Sequence, residues 1–142
     1  MSLKKVSRNP VLQLPDYSKT FYLRTDASCS GIGSILLQDT EGKLMPVAYA
    51  SKKRLSREVN YSTVERECLS IIWSVEKFKV YLFGREFVLQ TDHQPLTYLR
   101  SMKNSNPRLT RWALALQPYT FRIEYIKGLD NICADLLSRC PI

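Results

Sequence analysis

A change of hydrophobic period at Ser62 constrains this chain more than any other feature. Ser62-Thr63-Val64-Glu65 has the form of a capping box, and behind it Cys68, Ile71, Ile72, Val75, Phe78 and Leu82 fall at three- and four-residue steps. That spacing predicts one amphipathic helix ending at Gly84. Ahead of it lie three β-forming runs, Phe21 to Asp26, Ile32 to Gln38 and Lys43 to Ser51. They are separated by the small polar group Ala27 to Gly31 and by the turn residues Asp39-Thr40-Glu41-Gly42. Connections this short predict an antiparallel three-stranded meander. Beyond the helix, Glu86 to Thr91 reads as a fourth strand, Gln94 to Arg100 as a short helix, and Pro107 to Leu116 as a helix with Pro in its first turn. Tyr119 to Ile126 alternates Tyr119, Phe121, Ile123 and Tyr125 against Thr120, Arg122 and Glu124, a fifth strand, and Ile132 to Arg139 closes as a helix. The order βββαβααβα predicts an α/β fold with a mixed sheet.

At 142 residues the simplest partition is one domain with a sizeable core. Residues 1–20 carry Lys4, Lys5, Arg8 and Lys19 against Asp16 alone, with Pro10 and Pro15 around Val11 to Leu14. They read as an extended basic leader ahead of a domain at 21–142. Twenty-one Lys and Arg against 13 Asp and Glu leave a net charge of +8, which makes a polyanion the leading partner class. No apolar run approaches the roughly 18 to 20 residues needed to span a bilayer, so no membrane partner is expected. The start, Met1 to Lys5 and then Val6 to Pro10, lacks the apolar core of a secretory signal, and an intracellular, reducing setting is expected. Cys29, Cys68, Cys133 and Cys140 form no C-x-x-C pair and His93 is the single histidine, so spacing supports neither a zinc knuckle nor a redox dithiol.

Four acids sit where packing alone would not place them. Asp26 ends the first strand, Asp92 follows the fourth, Glu67 lies one turn into the capped helix, and Asp135 stands amid Ala134, Leu136 and Leu137. If the first and fourth strands are neighbours and parallel, Asp26 and Asp92 converge at one sheet edge. Clustered carboxylates repel, which disfavours an empty core and suits a divalent cation. Taken singly, a strand-end Asp is more often a cap or turn former, and a helical acid is usually solvated. Glu65 has a local duty as the capping-box acid, which leaves Glu67 without one.

Thr25-Asp26-Ala27-Ser28, Pro46 to Ser51, Asn60 to Leu69, Thr91-Asp92-His93-Gln94-Pro95-Leu96 and Asn131 to Arg139, in that order, resemble the ribonuclease H domain of gypsy-type LTR retrotransposon reverse transcriptases. Leu109 to Leu114 is similar to the same lineage, and Asn9 to Asp16 to its segment joining polymerase to ribonuclease H. The resemblance covers nearly the whole chain. It implies a ribonuclease H-like fold, a five-stranded mixed sheet flanked by helices with the first three strands antiparallel. It also implies a metal site of Asp26, Glu67, Asp92 and Asp135 holding Mg²⁺ or Mn²⁺, two ions in all, and a polymerase domain of the same polyprotein as partner. Two departures stand out. Cys29 occupies a place where relatives often carry a polar or acidic residue, and Ile126 stands where many ribonucleases H have a histidine ahead of the last loop glycine, here Gly128. His93, beside Asp92, reads as a structural donor.

The activity so implied is hydrolysis of the RNA strand of an RNA–DNA hybrid during reverse transcription, in a cytoplasmic particle or the nucleus. One cation would activate water and the other would stabilise the leaving 3′-oxygen. Between His93 and Arg122 the sequence has Arg100, Lys103, Arg108 and Arg111 and no acid, which fits a track for phosphates; Trp112 shares its helix with Leu109, Ala113 and Leu116 and reads as core. Recognition would rest on shape and 2′-hydroxyls, not on sequence. A non-catalytic module is the rival from another class, and retention of all four acids weighs against it. DNA strand transfer is the rival within the fold, and the Glu67-Cys68-Leu69 helix and the ending around Asp135 weigh against that.

Overall fold

The structure is a computed structural model that describes residues 12–27, 31–53, 61–91 and 107–126. Five strands form one sheet: β1 (Phe21–Ala27), β2 (Gly31–Thr40), β3 (Lys43–Lys53), β4 (Glu86–Thr91) and β5 (Thr120–Tyr125). Their spatial order is β3-β2-β1-β4-β5, with β1–β2 and β2–β3 antiparallel and β1–β4 and β4–β5 parallel. This is the mixed sheet expected, with the first three strands antiparallel.

The β2–β3 hairpin turns on two residues, Glu41 (φ 55°) and Gly42 (φ 82°), the two positive angles of a tight primed turn, and the Gly42 amide donates to Asp39 Oδ1 at 2.7 Å. A register shift opposite Leu36 and Leu37 lets Pro46, which has no N–H to give, sit inside β3. The Pro46 carbonyl accepts from the Gln13 amide at 2.8 Å on the outer edge of the sheet. Gln38, buried in β2, takes hold of the same incoming segment. Its Oε1 accepts from Asp16 N at 2.8 Å, and its Nε2 donates to the carbonyls of Asp16 and Lys19.

Helix α1 (Thr63–Lys77) begins at the capping box: Glu65 N donates to Ser62 Oγ, and Ser62 N donates to Glu65 Oε1 at 2.9 Å. The single helix expected as far as Gly84 is interrupted. Phe78 leaves helical geometry (φ −102°, ψ 24°), and a four-residue turn, α2 (Lys79–Leu82), completes the run before Gly84 at φ +84°. Aromatic packing sets this break. Phe78 and Leu82 are both buried, while the Tyr81 ring meets Phe21 and Phe78 edge-on and stacks on Tyr17. Spacing along one segment cannot register those partners. Helix α3 (Pro107–Leu116) has the expected bounds and buries Leu109, Ala113 and Leu116.

The main core lies between the sheet and the helices. Phe21, Leu23, Leu36, Val47, Phe87 and Leu89 meet Cys68, Ile71 and Val75 of α1 and the buried face of α3. Ile35 and Leu37 form a second cluster with Tyr22, Leu44 and Tyr49. In β5, Phe121 and Ile123 pack against the main core as the alternation predicts, but Tyr125, at the end of an edge strand, is exposed. Among the described residues no helix is long and apolar enough to cross a membrane. The expected helices at 94–100 and 132–139 lie outside the described residues.

Candidate active site

Asp26 is the last residue but one of β1, opposite Gly33 of β2, and is exposed. Because β1 and β4 are adjacent and parallel, with Arg24 opposite Gln90, both strands run out at the same edge of the sheet. The condition that sequence reasoning set for the strand-end acids is therefore met. β4 ends at Thr91, which is buried and tied across to β5 by the Ile126 amide donating to its carbonyl at 2.7 Å. Asp92 is the next residue in the chain and, like Asp135, Arg100 and Lys103, lies outside the described residues.

Glu67 sits one turn inside α1, the helix that packs on β1 and β2, and is 7% exposed. Its carbonyl accepts from Ser70 Oγ at 2.6 Å. Cys68 beside it is fully buried. Burial pushes the Cys68 thiol up to about 12, and the charges of Glu67 and Glu65 add in the same direction. The thiolate is the reactive form, and burial holds Cys68 in the protonated form at neutral pH. A variant keeping Cys68 as its sole cysteine should react with a soluble maleimide orders of magnitude more slowly folded than in denaturant. Equal rates would contradict this environment.

One polar chain crosses three strands just inside the edge at which Asp26 stands. Arg24 Nε donates to Gln90 Oε1 at 2.6 Å, and Gln90 Nε2 donates to Glu124 Oε1 at 2.7 Å. By strand alternation Arg24 shares a face with Asp26, so the ladder braces β1 against β4 one step below it. A second cluster stands at the start of α1. The Arg108 guanidinium lies over the Tyr61 ring at 4.2 Å and its Nη1 donates to Glu65 Oε2 at 2.6 Å, while Trp112 approaches Tyr61 with ring centroids 6.0 Å apart. Sequence reasoning identified Glu65 as a cap and Arg108 as a cation and missed their pairing, which joins residues 43 positions apart. Trp112 is half-buried against the main core, the role expected of it, and Arg111 is exposed.

Among the described residues no group of three or more His, Cys, Asp or Glu side chains is gathered around one point. The donor chemistry of Asp26 and Glu67 nonetheless fits Mg²⁺ or Mn²⁺, hard cations that prefer carboxylate oxygens.

The profile of the RNase H-like domain found in reverse transcriptase matches residues 16–119. The chain is 48% identical over 141 residues to the Pol polyprotein of transposon 412 from Drosophila melanogaster, covering 99% of this chain and 11% of the relative. To the gypsy Pol polyprotein of the same organism it is 41% identical over 134 residues, 94% of this chain and 13% of the relative. It thus spans little more than a tenth of those relatives' length. Among solved structures, the foamy viral protease-reverse transcriptase in complex with RNA/DNA hybrid matches with a TM-score of 0.67 at 17% identity, over 98% of this chain and 19% of that one. LC11-RNase H1 in complex with RNA/DNA hybrid matches at 0.56 and 12% identity, over 84% and 93%. These two show the fold; the profile and the polyproteins show the family, and the chain belongs to the RNase H-like domains found in reverse transcriptase.

Proposed function

We propose that this chain is a divalent-metal-dependent endonuclease that cuts the RNA strand of RNA–DNA hybrids during reverse transcription of a retrotransposon. The observation that carries this reading is the parallel β1–β4 pair, which delivers Asp26 and the end of β4 to one sheet edge with the Glu67 helix packed on β1. Family membership and two structural neighbours solved with RNA/DNA hybrid support it. Asp26, Glu67, Asp92 and Asp135 would hold the ions. Bound there, the ions supply activation of the attacking water and stabilisation of the leaving 3′-oxygen.

The chain's own part is positioning. The Arg24–Gln90–Glu124 ladder and the capped first turn of α1 hold two acids on rigid elements, which matters because a misplacement near 1 Å can cost roughly 10²-fold in rate. Arg100, Lys103, Arg108 and Arg111 form the proposed phosphate track, Arg108 with part of its charge already shared with Glu65. The polymerase domain of the same polyprotein is the proposed partner in cis, with 1–20 as the connection to it and 21–142 as the nuclease, acting inside the cell in a particle or the nucleus. Labelled hybrid incubated with Mg²⁺ or Mn²⁺, with and without chelator, tests the reading. Metal-dependent RNA cutting supports it, and an inert wild type sinks it.

Hybrid binding should also weaken with salt. Arg111→Gln, measured in Ca²⁺ over a salt series, should flatten the log–log slope by about 0.7 to 0.9 and lower affinity equally across sequences. An unchanged slope would remove Arg111 from the track.

A further inference from the structure

Glu65 is asked to do two things by its two oxygens. Oε1 closes the capping box on Ser62 N, and Oε2 receives Arg108 from α3 at 2.6 Å. Arg108 is itself seated, its guanidinium over the Tyr61 ring at 4.2 Å, and Tyr61 in turn meets Trp112 of the same helix as Arg108. Residues from two stretches of the chain, 61–65 and 108–112, thus close a ring around the first turn of α1, and Glu67 lies two residues beyond Glu65. The capping box alone would satisfy the helix start, so the Arg108 contact is additional to what the helix needs locally. The Glu65 side chain is 12% exposed and that of Arg108 38%, so the pair is partly shielded, and a charge-assisted bond there is stronger than a fully solvated surface pair.

We infer that Glu65 and Arg108 form a clamp through which α3 sets the position of Glu67, so that Arg108 is a positioning residue for the metal site as well as a member of the basic track. The inference rests on the proposed ribonuclease reading. It also gives a duty to the Leu109 to Leu114 motif, whose helix carries Trp112 and begins beside Arg108.

Electrostatics and positioning predict opposite signs for one variant. Arg108→Gln removes a positive charge near the proposed ions, which through space would strengthen Mn²⁺ binding. Loss of the clamp would weaken it by about 10-fold or more, the usual scale for groups that orient metal ligands. Mn²⁺ affinity is to be measured by calorimetry on the whole chain, well below the melting temperature of each variant. Weaker binding in Arg108→Gln supports the clamp; unchanged or tighter binding overturns it. Arg108→Lys keeps the charge and loses the planar fork, and serves if the Gln variant fails to fold; it too should bind Mn²⁺ more weakly.

Glu65→Gln keeps the capping geometry and loses the ion pair. Hybrid affinity in chelator should hold or rise, since Arg108 is released to the track, while kcat at low Mn²⁺ falls about 10-fold and recovers at high Mn²⁺. The double variant with Arg108→Lys should be no worse than the weaker single one, since both break the same contact. Additive losses would overturn the clamp. A wild type that binds Mn²⁺ without cutting hybrid would sink the ribonuclease reading and leave the clamp to be judged by calorimetry; one that binds no Mn²⁺ overturns both.

Discussion

Asp26→Asn is expected to lower hybrid cleavage by about two orders of magnitude or more with the fold intact, because it deletes a charged oxygen donor at the sheet edge where the acids are proposed to meet. The substitution is nearly isosteric, and Asp26 is exposed, so packing should not register it. The melting temperature without metal should hold or rise, since one source of carboxylate repulsion is gone. Glu67→Gln should act in the same direction, and far more strongly than Glu65→Gln assayed at saturating Mn²⁺. Cleavage assays in Mg²⁺ and in Mn²⁺ decide the matter: near-wild-type turnover in Asp26→Asn would remove the residue from the catalytic set.

The largest effect on stability is expected at Phe87. This ring is fully buried on the interior strand β4 and stacks on Phe121 with centroids 5.2 Å apart. Phe87→Ala should cost about 3–5 kcal/mol, the range for truncating a core aromatic. Against a typical total of about 5–15 kcal/mol, that is a large share. Guanidinium unfolding reads it as a lower midpoint at unchanged slope. A loss below about 1 kcal/mol would show that the site collapses around the deletion.

Much of this was legible because local chemistry and tertiary packing agree. β4 and α3 have the bounds expected of them, Glu86–Thr91 and Pro107–Leu116, since each is a short periodic run bracketed by clear breakers. The capping box at Ser62 and Glu65 was legible for the same reason: its partners are three residues apart. The break at Phe78 was not, because the rings that impose it come from Tyr17 and Phe21, far back in the chain. Nor was the ladder, whose links join Arg24 to Gln90 across 66 positions and Gln90 to Glu124 across 34. Of the four acids, the pattern singled out candidates and the resemblance supplied the set. The structure describes the setting of Asp26 and Glu67.

The place of β1 in the sheet has a consequence for how the chain is made. One of its sides pairs with β2, which follows it directly, but the other must wait for β4. Translation adds about 5–20 residues per second, so the 66 positions between Arg24 and Gln90 correspond to several seconds of synthesis. During that interval the central strand of the finished domain is an edge strand, its β4-facing side without a strand partner even after α1 has emerged to cover Phe21 and Leu23. Unpaired apolar edges are templates for other chains. The newborn domain is therefore most exposed to misassembly between the emergence of the hairpins and the emergence of β4, and pairing of β1 with β4 is the event that ends the exposure.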